Sequence, residues 1–357
     1  MQKSSGMDYA PKGKSAPVCR KGDFRVGVIG LDHGHIFGMC NGLVEAGAEV
    51  AGVYDPDPAK IENFRKSFPG AKAVSSEKAI LEDRSVHLVA SAAVPSDRCA
   101  IGLRVMDHGK DYFCDKPPFT TLDQIASARN RIEDTGRKYA VYYSERLHVE
   151  GAVFAETLIA DGAIGRVVQV IGMGPHRISI PERPDWFFKK EKFGGILVDI
   201  GCHQIEQFLF YSRATDARVL ASKVANYKFK QYPELEDFGD ATLLADSGAT
   251  NYFRVDWLTP DGLGVWGDGR TFILGTDGYI EIRKYIDVAR SKDGDQVFLV
   301  DHKGERLFSV SGQVGFPFFG RLILDCLNRT NKAYSQKMFL KAAELAVIAE
   351  QTAIRIE

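Results

Sequence analysis

The chain has 357 residues, 45% of them apolar, which is more than one typical domain needs and enough to build two cores. Its 46 basic and 47 acidic residues give a formal net charge of -1, so the basic footprint of a nucleic-acid binder is absent. Six scattered cysteines with no CxxC pair argue for reduced thiols rather than disulfides or structural zinc, and no apolar run reaches membrane-spanning length. A cytoplasmic protein with no membrane partner is expected.

Residues 1–22 are polar, with Pro, Gly and Lys but no signal-peptide core, and read as a flexible tail. From Phe24 an apolar run, FRVGVIG, leads through a glycine-bearing turn to a helix at about Ile36 to Ala46 and a strand ending at Asp55. Helices at about Asp57–Ser67, Asp97–His108 and Leu122–Thr135 then alternate with strands at Val86–Ser91, Tyr112–Cys114 and Lys138–Tyr143. This βα alternation predicts a Rossmann-type, doubly wound parallel sheet over residues 23–144, with ligands beyond the carboxyl ends of its strands. The turn GLDHGH after the first strand is the candidate pyrophosphate site, because the amides of the following helix would face an anion. Gly30 matches the first glycine of GxGxxG, Asp32 and His35 replace the other two, and Gly34 stands one place early. A carboxylate about 5 Å from a phosphate would be repelled by roughly 3 kcal/mol at an effective dielectric of about 20, so Asp32 is expected to point away. It could cap the helix, and a protonated His33 or His35 could neutralise it. Asp32, His33 and His35 have metal-ligand chemistry, but near-adjacent residues rarely converge on one ion, and no metal is expected. Asp55, at the end of the second strand, is placed to accept both ribose hydroxyls of an adenine nucleotide, which favours NAD over NADP. The bland reading of YDPDP is a turn before a helix.

Residues 145–357 read as an α+β domain with a large, mainly antiparallel open sheet. VVQVIGM, ARVLASKVANYKF, ATLLADSG, TNYFRVDWL and TFILGTDGYIEI are strand-like, with DSG and TDG as turns. Between the first two lies PHRISIPERPDWF, whose His176, Arg177, Asp185 and Trp186 suit a sugar ring. GGILVDIGCHQIEQF follows. Wound as an α-helix, it puts Asp199, His203, Glu206 and Gln207 on one polar face opposite Leu197, Ile200, Ile205 and Phe208, either a solvated side or an acid/base face. The stretch SQKMFLKAAELAVIAEQTAI is a long amphipathic helix.

With CDKPP at Cys114 to Pro118 added, the order of these pieces resembles the glucose-fructose oxidoreductase and inositol dehydrogenase family, Gfo/Idh/MocA, over most of residues 24–357. The family's Glu-Lys-Pro motif appears as Asp115, Lys116 and Pro117, and its glycine-led Asp and His as Gly194, Gly195, Asp199 and His203. AAVPSDR resembles its cofactor loop, with Pro95 and Ser96 near the cofactor and Arg98 in place of a common histidine. SERLH around Arg146 resembles its interdomain crossover, and FILGTDGYIEI a strand-turn-strand of its second domain. The resemblance implies hydride transfer between NAD and a secondary alcohol of a sugar, inositol or related polyol. In it Lys116, Asp199 and His203 are catalytic, His203 is the acid/base, and Arg146 is placed among the substrate-binding residues. It also implies a homodimer or homotetramer built through the C-terminal sheet. NAD-assisted, redox-neutral sugar chemistry and a non-enzymatic metabolite sensor are the alternatives.

Overall fold

The computed structural model describes residues 11–357. They fold as two compact units: Lys14–Tyr142 with Phe316–Leu340, and Tyr143–Gly315 with Lys341–Glu357. The N-terminal unit runs β1 (Arg25–Ile29), α1 (His35–Glu45), β2 (Glu49–Tyr54), α2 (Pro58–Ser67), β3 (Lys72–Ala73), α3 (Glu77–Leu81), β4 (Leu88–Ser91), α4 (Pro95–Asp107), β5 (Asp111–Asp115), α5 (Leu122–Thr135) and β6 (Tyr139–Tyr142). β4, β5 and β6 are buried at every position, as strands covered on both faces must be. All six strands are parallel, in the order β3-β2-β1-β4-β5-β6. The order reverses between β1 and β4, and the turns leaving these two strands share the carboxyl edge where such sheets bind ligands. Short polar side chains start the helices: Asp57 accepts from Ala59 N at 2.8 Å and Thr121 from Gln124 N at 3.3 Å.

The C-terminal unit begins with α6 (Ser144–Leu147), α7 (Glu150–Ala160), β7 (Val167–Pro175) and α8 (Lys190–Phe193). A π-turn at Leu197–Gly201 runs directly into α9 (Cys202–Tyr211). The strands β8 (Ala217–Ala225), β9 (Phe238–Ala245), β10 (Thr250–Asp256), β11 (Arg270–Gly275), β12 (Gly278–Arg283), β13 (Gln296–Asp301) and β14 (Gly304–Ser309) follow. Then come α10 (Pro317–Asn328), α11 (Gln336–Gln351) and β15 (Ile354–Ile356). Nine strands form one sheet, β14-β13-β12-β11-β7-β10-β9-β8-β15, antiparallel except for β7 with β10 and β8 with β15. Val170, Phe253, Ile273, Ile280, Ile282 and Val297 form its buried face, on which α7 and α9 pack.

Residues 14–22 of the expected tail are held in place, because the backbone and ion-pairing groups left at the end of α1 give a short polar segment its partners. Val18 N donates to Ala46 O at 2.9 Å, and Lys14 pairs with Glu45 at 2.7 Å. Residues 1–10 lie outside the described residues. The linear boundary at 144/145 also shifts. The chain passes between units at Tyr142–Tyr143, and α10 returns to the N-terminal unit, where Phe318 lies 5.9 Å from Phe113 and Phe319 lies 6.3 Å from Tyr142. No disulfide joins any of the six cysteines. Among the described residues no helix is long and apolar enough to cross a membrane.

Candidate active site

The turns after β1 and β4 line a cleft of about 450 Å³ that includes Gly30, Asp32, Asp55, Glu77, Ser96 and Arg104. Gly30 has φ 82°, and a Cβ there would stand 2.7 Å from that of Ala93, so glycine keeps the floor of the cleft open. Asp55 is 3% exposed, and its carboxylate accepts from Leu31 N at 2.7 Å and Asp57 N at 2.9 Å. It braces the Gly30 turn and initiates the next one, and each oxygen keeps a second lone pair beyond these bonds. Asp32 pairs with Lys60 at 2.5 Å and accepts from Val94 N at 3.2 Å. Lys60, which is absent from the sequence expectations, thus does the neutralising assigned to His33 or His35. Asp32 does not cap α1 either: Gly34 occupies the cap in ordinary right-handed geometry, with no side-chain bond.

His33 and His35 turn instead to Asp115, with Nδ1 atoms 3.1 and 2.8 Å from its two oxygens. Burial, reinforced by the charge of His35, pushes His33 down to about 3, so it is neutral at physiological pH. Burial works to raise Asp115, but His35, Arg98 and His33 overcome it and hold the carboxyl well below the ordinary range. The ligand atoms of His33, His35 and Asp115 lie within 4.8 Å of one another, a different trio from the one the sequence suggested. Its negative charge is already met by Arg98, 1% exposed, which donates to Asp115 at 3.1 Å, to Ala93 O at 2.7 Å and to Pro117 O at 3.0 Å. Arg98 thereby ties the loop after β4, where Pro95 opens α4 and Ser96 lines the cleft, to the Asp115-Lys116-Pro117 segment. Lys116 is 6% exposed, its N–H donates to Asp115 at 2.8 Å, and its charge acts on His33. The glycine cradle, the neutralised Asp32 and the remaining lone pairs of Asp55 fit a dinucleotide. Gly30 and Leu31 would face its phosphates and Asp55 its ribose.

In the C-terminal unit the polar face of α9 is neither solvated nor open, since Asp199 is 8%, His203 2%, Glu206 0% and Gln207 1% exposed. That face meets buried charge. Arg146 closes on Glu206 with bonds of 2.5 to 3.0 Å and stacks 3.6 Å above Phe210, so its guanidinium is committed to the core rather than to a substrate. Glu145 and Lys284, neither anticipated, form a second pair at 2.7 Å. Gln204 donates to Glu145 at 2.8 Å, and Gln207 accepts from Lys284 at 2.8 Å and donates to His203 O at 3.0 Å. The Tyr143 ring stands edge-on to His203, with centroids 6.1 Å apart. Asp199 has Arg183 as an electrostatic neighbour, and burial pushes that guanidinium down to about 10. Arg183 lies over the rings of Phe187 and Trp257. His176 is half-buried against Trp257 and Trp266, with centroids at 5.3 and 4.4 Å. Arg177 is a loop brace, donating to Pro260 O at 3.0 Å and Leu263 O at 2.7 Å. Asp185 is exposed and Trp186 half-buried on the one-turn segment Asp185–Phe188.

A cleft at the switch point of a parallel sheet, and a buried Asp-His helix in an α+β unit, give the chain a two-domain architecture with a Rossmann-type N-terminal unit. Residues 24–143 match the oxidoreductase family with an NAD-binding Rossmann fold, GFO_IDH_MocA, and residues 153–281 match the GFO/IDH/MocA C-terminal domain. The chain belongs to the Gfo/Idh/MocA family. It is similar to scyllo-inositol 2-dehydrogenase (NAD(+)) of Bacillus subtilis, 24% identical over 66% of each chain. It is 25% identical to D-xylose dehydrogenase of Paenarthrobacter nicotinovorans over 41% of this chain and 38% of that one. The chain thus spans less than two thirds of the length of these curated relatives. A crystal structure assigned as an oxidoreductase of Erwinia carotovora atroseptica SCRI1043 superposes with TM-score 0.91 and 50% identity, over 94% of this chain and 100% of that one.

Proposed function

We infer that this protein is an NAD-dependent dehydrogenase acting on a secondary alcohol of a sugar, inositol or related polyol. The observation that carries the reading is the buried pair Asp199 and His203, one turn apart across the π-turn and α9, in a chain whose other unit has a switch-point cleft lined by Gly30 and Asp55. The names of the inositol and xylose dehydrogenases it resembles support the substrate class. Bound NAD supplies a two-electron hydride acceptor. The chain's own residues do the rest: His203 takes the hydroxyl proton, since an imidazole exchanges protons near neutral pH. Lys116 hydrogen-bonds the reacting oxygen and favours its alkoxide form, and Asp199 orients the neighbouring hydroxyls. Pro95 and Ser96 border the cofactor, and His176 and Trp186 offer apolar and polar edges to a sugar ring. Asp55 favours NAD because a 2′-phosphate would meet its charge. Arg104, on the same cleft, is already held bidentately by Glu77 at 2.7 and 3.0 Å.

The test is NADH formation with a panel of inositols, pentoses and hexoses, repeated with NADP. NAD is expected to be preferred, and His203→Ala to lower turnover by about 10² to 10⁴ with NAD affinity nearly unchanged. Turnover of His203→Ala at the wild-type rate would remove the acid/base assignment.

A further inference from the structure

A lysine with 0% exposure behind a catalytic helix demands a reason, because a buried ion pair replaced by apolar residues of similar volume is often as stable or more so. Lys284 directs its ammonium at Glu145 and Gln207, and Gln204 adds a second donor to the same Glu145 oxygen, Oε2. The other oxygen, Oε1, is buried with no hydrogen-bond partner among the described residues, an arrangement that costs stability for a polar group. The carboxylate is therefore ionised, fixed and half-satisfied. It also senses two histidines: burial works to raise its pKa, but Lys284, His203 and His176 overcome this and hold it below the ordinary range. The two glutamines that grip the pair follow His203 by one and four residues on the same helix.

Resting on the reading of His203 as acid/base, we propose that the Glu145–Lys284 pair is the counter-charge of His203, a positioning device that stabilises its imidazolium while keeping the proton on the imidazole. When the alcohol is oxidised, its carbon gives up a hydride to the dinucleotide, its hydroxyl proton passes to His203, and the C–O single bond becomes a carbonyl. Glu145 gains and loses nothing. Its negative charge favours the protonated ring, and Lys284 holds Glu145 in its ionised form so that the proton does not move on to the carboxylate. The other acidic groups on this helix and π-turn are Glu206, paired with Arg146 of α6, which also faces Glu156 of α7 at 3.9 Å, and Asp199, with Arg183 as its electrostatic neighbour. His176, from the end of β7, is a further charged neighbour of Glu145.

Loss of either half of the pair is expected to lower the pKa of His203, in an order that a purely structural role would not produce. Glu145→Gln removes the counter-charge. The acid limb of kcat/KM for oxidation should move down by about one pH unit, a tenfold change in the protonation equilibrium. Lys284→Met lets the buried Glu145 take up a proton, so the counter-charge is lost and the limb should also move down, by less than in Glu145→Gln, which leaves a buried ammonium unpaired. Glu145→Gln/Lys284→Met, which has neither charge, should match Lys284→Met. A titration of the His203 ring by NMR in the full-length chain, its signal assigned by its loss in His203→Ala, reads the same shifts without turnover and decides the matter for Glu145→Gln even where Lys284→Met does not fold. Unmoved titration in folded Glu145→Gln, or an upward shift in Lys284→Met, overturns the proposal. If the acid limb and turnover survive in His203→Ala, it is the acid/base reading that fails; if His203→Ala abolishes the limb while Glu145→Gln leaves it in place, only the counter-charge fails.

Discussion

Asp295 is 3% exposed in left-handed backbone at φ 54°, and its carboxylate accepts from Gly151 N at 2.9 Å. Burial pushes its pKa up to about 7, and the nearby Glu150 adds to the rise. The folded protein therefore keeps a proton that the unfolded chain releases above its ordinary value of 3.8. The stability from this group is complete below about pH 4 and is lost as pH rises through about 7, by up to about 4 kcal/mol for a shift of three units. Asparagine keeps the acceptor and tolerates left-handed backbone. Asp295→Asn should flatten urea-derived stability between pH 4 and 7 and raise Tm at pH 8; an unchanged pH slope would show that Asp295 titrates normally. Other residues show how far single side chains were legible. Charge repulsion predicts that Asp32 points away from a phosphate, with His33, His35 or the helix start as its partner; its actual partner, Lys60, was not legible, because it lies on the next helix, 28 residues away. Arg146 and Arg177 were read toward a substrate. A sequence pattern shows that a guanidinium is near a site but not that Glu206 or a pair of loop carbonyls has already taken it. Lys284 did carry a signal: Ile280, Ile282 and Lys284 share the inward face of β12 and its extension at period two, so a charge stands at a core position.

At the scale of elements, the helix bearing Asp199 and His203 is fixed from its start. Ile196 N donates to Glu236 at 3.0 Å, Leu197 N donates to Glu350 at 3.1 Å, and Lys190 bridges both carboxylates at 2.6 Å. These acids satisfy backbone donors that the first turn would otherwise leave unmet and lie at the positive end of the helix dipole. Gly195, at φ 99°, makes the approach possible, since a Cβ there would overlap the Glu350 carboxyl. Gly195→Ala thus combines left-handed strain of about 1–3 kcal/mol with displacement of the clamp. A fall in Tm of about 3–10 °C is expected by calorimetry, with turnover reduced because the His203 turn moves. Gly262→Ala, where nothing lies within 4 Å of the new methyl, is the control and should leave both unchanged. Equal behaviour of the two variants would show that the clamp does not set the helix. The element itself was legible from its apolar period, but the π-turn at Leu197–Gly201 was not, because hydrophobic spacing reports which face is buried and not a local widening by one residue. β13 and β14 are likewise missing from the sequence expectations. β14 is polar and mostly exposed, so it lacks the half-buried alternation that identifies a strand.

For the whole molecule, the parallel sheet was the most legible part, since β and α segments alternate along one continuous stretch. The place of α10 was not, because an amphipathic PFFGRLILDCLN announces a buried face without saying which core receives it. The same limit applies to the outer face of the nine-stranded sheet, which the sequence marks as a surface needing cover. Register lines Thr242, Tyr252, Ile171, Phe272, Glu281, Phe298 and Leu307 into one row across seven strands. Beside it Leu274 pairs directly with Tyr279, each 45% exposed, and Tyr252 and Leu307 are 40% and 49% exposed. A contiguous apolar surface of this kind is unusual on a monomer, and association through it is expected. Arg283 over Phe298 at 4.7 Å, and its pair with Glu281 at 2.8 Å, put matched charges inside the patch, so that a second copy of the same face can meet it by a two-fold axis. Sedimentation equilibrium should give at least twice 39.5 kDa for the wild type. Leu274→Arg/Leu307→Glu, which places charges at two exposed positions without touching the buried face, should give a folded chain of 39.5 kDa with unchanged far-UV circular dichroism. A wild type that sediments as a monomer, or a double variant that keeps the wild-type mass, would mean that this face is not the interface.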